Sequence, residues 1–145
     1  MFQQLQQSSA MLAPVIALVL WTFVMWGWMY WTRIPAILSS RMRLDPNAPR
    51  GQQMNELPAT VRWKADNYNH LFEQPTLFYA VALTLALLRD ESGLAVGLAW
   101  AYVVLRVVHS VWQATVNVIP IRFYLFSASS LVLFALALKA AARVF

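Results

Sequence analysis

VRWKADNYNHLFEQPTLFYA, residues 61–80, begins basic and polar and ends apolar. Asn69, His70 and Glu73 fall on successive helical turns, Pro75 follows, and the apolar run continues to Leu88. Ionisable groups at the mouth of so apolar a segment cost free energy in lipid, so they face a polar interior or one another. The segment reads as a membrane span from about Pro58 to Leu88, with its first two turns among headgroups. Pro58 is suited to the first helical position. Pro75 cannot donate to the helical ladder and crowds the carbonyl of Leu71, which predicts a kink.

The rest of the chain supports a membrane reading. It has 145 residues, one domain in size. Apolar residues make up 60% and include seven Trp, against about 45–50% apolar in soluble domains. Charged residues are 12%, about half the usual share. The absence of cysteine excludes disulfides, thiolate metal sites and a cysteine nucleophile, and no metal site is expected. The formal charge of +5 sits largely beside apolar spans. Topology control and anion binding explain it better than nucleic acid does.

Residues 1–10 are polar and Gln-rich without Lys or Arg, unlike the basic start of a secretory signal. Met11 to Trp31 carries no charge and is about 31 Å long as a helix, enough to cross a bilayer. It ends in Trp26, Trp28, Tyr30 and Trp31, an interfacial aromatic belt. Residues 33–57 read as a loop holding Pro35, Pro46 and Pro49 with Arg33, Arg41, Arg43 and Arg50. The positive-inside rule makes that loop cytoplasmic and puts the N-terminus outside. The short turn Arg89–Ser92 makes the next two spans antiparallel neighbours. The expected fold is all-α, a transmembrane four-helix bundle in one membrane domain. Its spans cover about 11–31, 58–88, 93–114 and 123–142, with both termini on the non-cytoplasmic side.

Depth brings polar groups together. Counted from the short turn, Glu73 lies about 22 Å along span two, Arg106 about 20 Å and His109 about 24 Å along span three. Arg106, His109 and Gln113 are spaced i, i+3, i+7 and share a face. Arg62, Asp66, Asn69, His70 and Glu73 also fall near one face, and Arg122 enters from span four. Glu73 and Arg106 are equally well read as a structural ion pair or as part of a functional cavity. Lys64 reads as a headgroup anchor. A cavity with several Arg and few acids suits a small polyanion, with bidentate bonds to carboxylates. Glu73 suits an ammonium on that ligand or the orientation of an Arg. Open to cytosol and lipid, such a cavity pairs a soluble anion with a lipophilic second substrate.

At these residues the chain resembles the MAPEG family, membrane-associated proteins in eicosanoid and glutathione metabolism. NHLFEQPTLFYA, residues 69–80, is similar to the family's Asn…Glu…Pro…Phe pattern. RVVHSVW, residues 106–112, and PIRF, residues 120–123, are similar to the Arg-x-x-His and Pro-x-Arg elements of its prostaglandin E synthase and microsomal glutathione transferase branches. The resemblance implies a homotrimer in a bacterial inner membrane, with glutathione as cosubstrate between subunits on the cytoplasmic side. By analogy Glu73 meets the glutathione amine. Asn69, Arg106, His109 and Arg122 hold its carboxylates and backbone or position the thiol, with Arg62 a further candidate. Arg106 and Arg122 stabilise the thiolate.

The chain departs from the pattern in four places. Asn69 and Glu73 are four apart where three is common, which lets His70 take over the amide's role. Asp66 stands where Arg is expected, Gln113 where Tyr is frequent, and Phe123 where the prostaglandin synthases have Ser. Two functions follow from this balance. One is a glutathione-dependent transferase or peroxidase acting on lipophilic electrophiles. The alternative is a non-catalytic membrane scaffold or accessory subunit of the same fold. A proton or anion pathway through Glu73, Arg106 and His109 is a third, weaker idea.

Overall fold

The computed structural model describes residues 9–145, and the Gln-rich opening over residues 1–8 lies outside them. Every regular element among the described residues is helical. In order they are α1 (Leu12–Ser40), α2 (Gln52–Asn55), α3 (Ala59–His70), α4 (Gln74–Leu87), α5 (Gly93–Thr115) and α6 (Ile119–Val144). Three of them, α1, α5 and α6, are each long and apolar enough to cross a membrane.

Helix α1 continues well past Trp31, through Pro35, and ends at Arg41 in the left-handed conformation. Its 29 residues make about 43 Å of helix, more than the about 30 Å hydrocarbon thickness. The carbonyl that Pro35 leaves unpaired belongs to Trp31, which is 83% exposed. The connecting loop therefore starts at Arg41, and it folds on itself around α2. There Gln53 donates to the carbonyl of Arg43 at 2.6 Å and accepts from the amide of Asp45 at 3.0 Å.

The stretch quoted first is interrupted where a kink was expected. Helix α3 stops at His70, residues 71–73 turn tightly, and Pro75 sits in the first turn of α4. Pro58 is likewise the residue before α3, not its first helical one. The physical reason at Pro75 is the missing N–H. A continuous helix leaves the Leu71 carbonyl without its donor inside an apolar layer, whereas at a helix start no donor is needed. The turn uses short amide bonds instead, Phe72 to Asn69 at 2.9 Å and Glu73 to His70 at 3.3 Å.

The main core lies toward the chain termini. Met11, Val15 and Leu18 pack with Phe78, Ala82 and Leu85 of α4, Ala95, Ala99, Tyr102 and Val103 of α5, and Leu133, Leu136 and Ala140 of α6. Small residues on α5 let the neighbouring helices approach closely. A lesser cluster of Met25, Leu71 and Ala114, flanked by Trp21, Trp28 and Tyr68, sits toward the loop end. Many large apolar side chains on the outside, among them Leu20, Phe23, Leu131 and Phe134, remain exposed, as on a surface that meets lipid.

Candidate functional site

Helix α5 buries a polar stripe at its loop end. Arg106, His109, Ser110 and Gln113 are all buried there, together with Ala114. These residues recur every three or four positions, so an α-helix lines them up on one face. That face meets the end of α3, the helix break and the start of α6.

Arg106 is fully buried, yet no acid lies within ion-pair distance of it among the described residues. Its Nη2 donates to the His70 carbonyl at 3.3 Å, and its guanidinium carbon stands 5.6 Å from the centre of the Phe126 ring. Nε and Nη1 are buried without a hydrogen-bond partner. A buried cation with idle donors costs several kcal/mol in desolvation. Such a group is completed when an anionic acceptor reaches it.

Beside it, a cavity of about 220 Å³ is lined by His70, His109, Ile119, Arg122, Phe123 and Phe126. The two imidazole rings are 5.3 Å apart, and His70 stacks on Phe126 at 5.3 Å and 29°. His70 Nδ1 lies 2.6 Å from Glu73 Oε2 across the helix break. Arg122 Nη1 donates to Asn117 Oδ1 at 2.7 Å, which leaves its other nitrogens for the cavity. The wall therefore offers one guanidinium and two imidazoles on a partly aromatic surface, with Arg106 buried behind His70 and Phe126. That chemistry suits a small ligand with carboxylates.

Of the two readings held for Glu73 and Arg106, the structural ion pair does not form. Glu73 is 67% exposed and takes His70, while Arg106 takes the His70 carbonyl. The polar face of α3 is also turned differently from the sequence reading. Lys64, Ala65 and Asn67 point inward, and Asp66 and Asn69 are exposed. Arg62 has a buried Nε without a partner and does not line the cavity, and Gln113 is buried with Oε1 unpartnered, one turn beyond His109.

Lys64 corrects a second expectation. It is buried, not a headgroup anchor, and it donates to the carbonyls of Thr60 at 2.8 Å and Ala114 at 3.3 Å with the Trp28 ring 5.2 Å away. A cation on the last carbonyls of α5 satisfies an orphan acceptor and complements the helix dipole.

Sequence reasoning passed over two buried networks. In the first, Asn67 Nδ2 and Trp21 Nε1 both donate to Ser110 Oγ, the latter at 3.0 Å. In the second, Gln74 accepts from Tyr102 at 3.3 Å and donates to Ser130 at 2.7 Å, tying the start of α4 to α5 and α6 beneath Arg106. The i, i+3, i+7 spacing of Lys64, Asn67 and Leu71 is one of several faces that α3 offers, so it does not single out Asn67. Nothing local marks Gln74, whose partners lie on other helices.

Among the described residues no group of three His, Asp or Glu side chains could hold a metal ion. Comparison with known proteins gives one finding: the model of the MAPEG family matches residues 11–142. No curated protein and no solved structure matches the chain.

Proposed function

Because the chain belongs to the MAPEG family, and is therefore an integral multi-pass membrane protein of a family that commonly binds glutathione, we propose that it binds glutathione and uses it against lipophilic electrophiles. The observation that carries the reading is Arg106, a fully buried guanidinium with two idle nitrogens beside a cavity walled by His70, His109 and Arg122. Glutathione brings two carboxylates, one ammonium and a thiol. Arg106 and Arg122 pair with carboxylate or thiolate, and Glu73, exposed at the cavity's edge, suits the ammonium.

Catalysis follows from charge. A cation close to a thiol favours the thiolate, which is the nucleophile. In conjugation its sulfur forms a bond to an electrophilic carbon while the leaving group departs. In peroxide reduction it attacks one peroxide oxygen, the O–O bond breaks with departure of the alkoxide, and a second glutathione converts the resulting sulfenic acid to the disulfide and water. The electrophile reaches the cavity through lipid, past the exposed Ile119 and Phe123.

The family fold is a transmembrane four-helix bundle, and α3 with α4 supplies the fourth passage in this reading. The arginine-bearing loop is cytoplasmic and both termini are outside. The protein assembles as a homotrimer. The exposed Asp66, Asn69 and Glu73 on the α3–α4 passage suit a ligand shared with a neighbouring subunit, since a cavity of about 220 Å³ holds only part of a tripeptide.

The test is the ultraviolet absorbance of the thiolate when glutathione is added to detergent-purified protein. A saturable thiolate band that Arg106→Ala abolishes, with the assembly intact, is the expected result. No binding and no thiolate at millimolar glutathione sinks the proposal. The non-catalytic alternative draws on Gln113, whose amide stands where a hydroxyl could donate to the thiolate. Saturable binding without turnover of any electrophile favours it.

A further inference from the structure

We propose that His70, oriented by Glu73, is the general base that takes the thiol proton of bound glutathione. The inference rests on the glutathione reading above and adds a residue role to it. An ionised carboxylate can only accept hydrogen bonds, so the Glu73 contact at 2.6 Å keeps the neutral imidazole's proton on Nδ1. Nε2 is then the free base. A base held in one tautomer by a neighbouring acid is the working arrangement of nucleophile activation on many unrelated folds.

The ring is fixed as a base needs to be. His70 is the last residue of α3, its carbonyl is held by Arg106, and its imidazole is stacked on Phe126. Its side chain is 24% exposed and forms part of the cavity wall. A pair that only closed the turn between α3 and α4 has no need of that position.

The charged and titratable groups around His70 come from every packed element. Glu73 lies across the helix break, Arg106 and His109 are on α5, and Arg122 is on α6. Glu73 is a negative partner for an imidazolium, and the two arginines are positive partners for a thiolate. Transfer of a proton from sulfur to His70 thus places each new charge beside its opposite. In the step, the S–H bond breaks as the Nε2–H bond forms, leaving thiolate and imidazolium. The thiolate then bonds to the electrophilic carbon. The leaving group departs with its electron pair, as chloride from chlorodinitrobenzene, and the imidazolium releases its proton from Nε2 to water, so glutathione and the electrophile are the only reactants.

The experiment compares wild type, His70→Asn and Glu73→Gln in detergent, with glutathione and chlorodinitrobenzene, from pH 6 to about pH 9, above the about 8.5 at which a free thiol ionises unaided. The expected result for His70→Asn is retained glutathione binding and a kcat/KM at pH 7 about 10²-fold lower. The deficit closes as the pH rises and the thiol ionises without a base. Glu73→Gln raises KM for glutathione at every pH through the lost ammonium contact, shows a pH-dependent deficit in kcat of about tenfold, and supplies the answer through kcat if His70→Asn does not fold. Wild-type rates in the variants, or a loss in kcat equal at every pH, overturn the proposal while the glutathione reading stands. A wild type that binds no glutathione overturns both.

Discussion

Lys64 on α3 reaches the carbonyl of Ala114 at the end of α5, while Arg106 on α5 reaches the carbonyl of His70 at the end of α3. The two cations cross the same helix contact in opposite directions, and both are buried. They differ in what is left over. Lys64 spends its ammonium on two carbonyls and the Trp28 ring. Arg106 satisfies one carbonyl at 3.3 Å and buries two further nitrogens with nothing to bond. Burial alone therefore does not separate these two cations, but their leftover donors do, and two idle nitrogens beside the cavity are what support Arg106 in the proposed glutathione reading.

The largest effect is expected at Arg106. In the proposed glutathione reading, Arg106→Met removes an anchor worth about 2–5 kcal/mol for a buried charge pair, so glutathione binding should fall below detection. The same change removes a buried cation that no acid compensates, and with it a desolvation penalty of several kcal/mol. The thermal midpoint in detergent should hold or rise. A fall in midpoint would erase the distinction from Lys64.

Lys64→Met should do the reverse. It strands the Ala114 carbonyl inside the bundle and removes a charge from the α5 C-terminus. A hydrogen bond to a charged group contributes about 1.5–3 kcal/mol, so the midpoint drops clearly while saturable thiolate formation survives. If the thiolate signal disappears with the assembly intact, Lys64 belongs to the ligand site and the contrast fails.

The membrane-spanning helices were legible because a bilayer enforces long uncharged runs, and α1, α5 and α6 show them plainly. The stripe on α5 was legible too, since i, i+3, i+7 spacing fixes a shared face whatever the partners are. The face of α3 was not. Polar residues occur all round it, at Arg62, Lys64, Asp66, Asn67 and Asn69, so periodicity gives no unique inward side. Tertiary contacts chose Lys64 and Asn67, because α5 offered a helix terminus to cap and Ser110 to bond. Pro75 announced an irregularity, but whether a helix bends or stops depends on what receives the freed backbone groups. Here Arg106, 31 positions beyond Pro75 in the sequence, receives the carbonyl of His70.

Within the buried network that Ser110 of α5 makes with α1 and α3, Ser110 and Asn67 provide a finer version of the same contrast. Ser110→Ala leaves the Trp21 and Asn67 donors without their acceptor. Stranding a buried donor costs about 1–3 kcal/mol. Asn67→Leu removes one donor together with an Oδ1 that is already unpartnered, so its two effects oppose each other. Chemical denaturation should rank Ser110→Ala as the more damaging change. The opposite ranking means that Asn67, not Ser110, is the centre of the network.

The smallest expected effect lies at the far end, where no ligand is involved. Asp90 in the α4–α5 turn holds Lys139 at 3.2 Å and Arg143 at 3.7 Å near the end of α6. Hydrogen bonds from Ser92 foremost, then Lys139, hold its carboxyl down from 3.8 to about 2. A carboxylate depressed in the folded state contributes stability above its unfolded pKa and loses it as the pH falls through the folded one. The Asp90 contribution is therefore complete at pH 5 and above, and it fades between 3.8 and about 2. Asp90→Asn should lower the midpoint slightly at pH 7, and less at high salt because Arg143 is half exposed. The gap between wild type and variant should close over that acidic window. If it closes nearer neutrality instead, another group sets the stability of this end, and the two ends of the bundle are coupled.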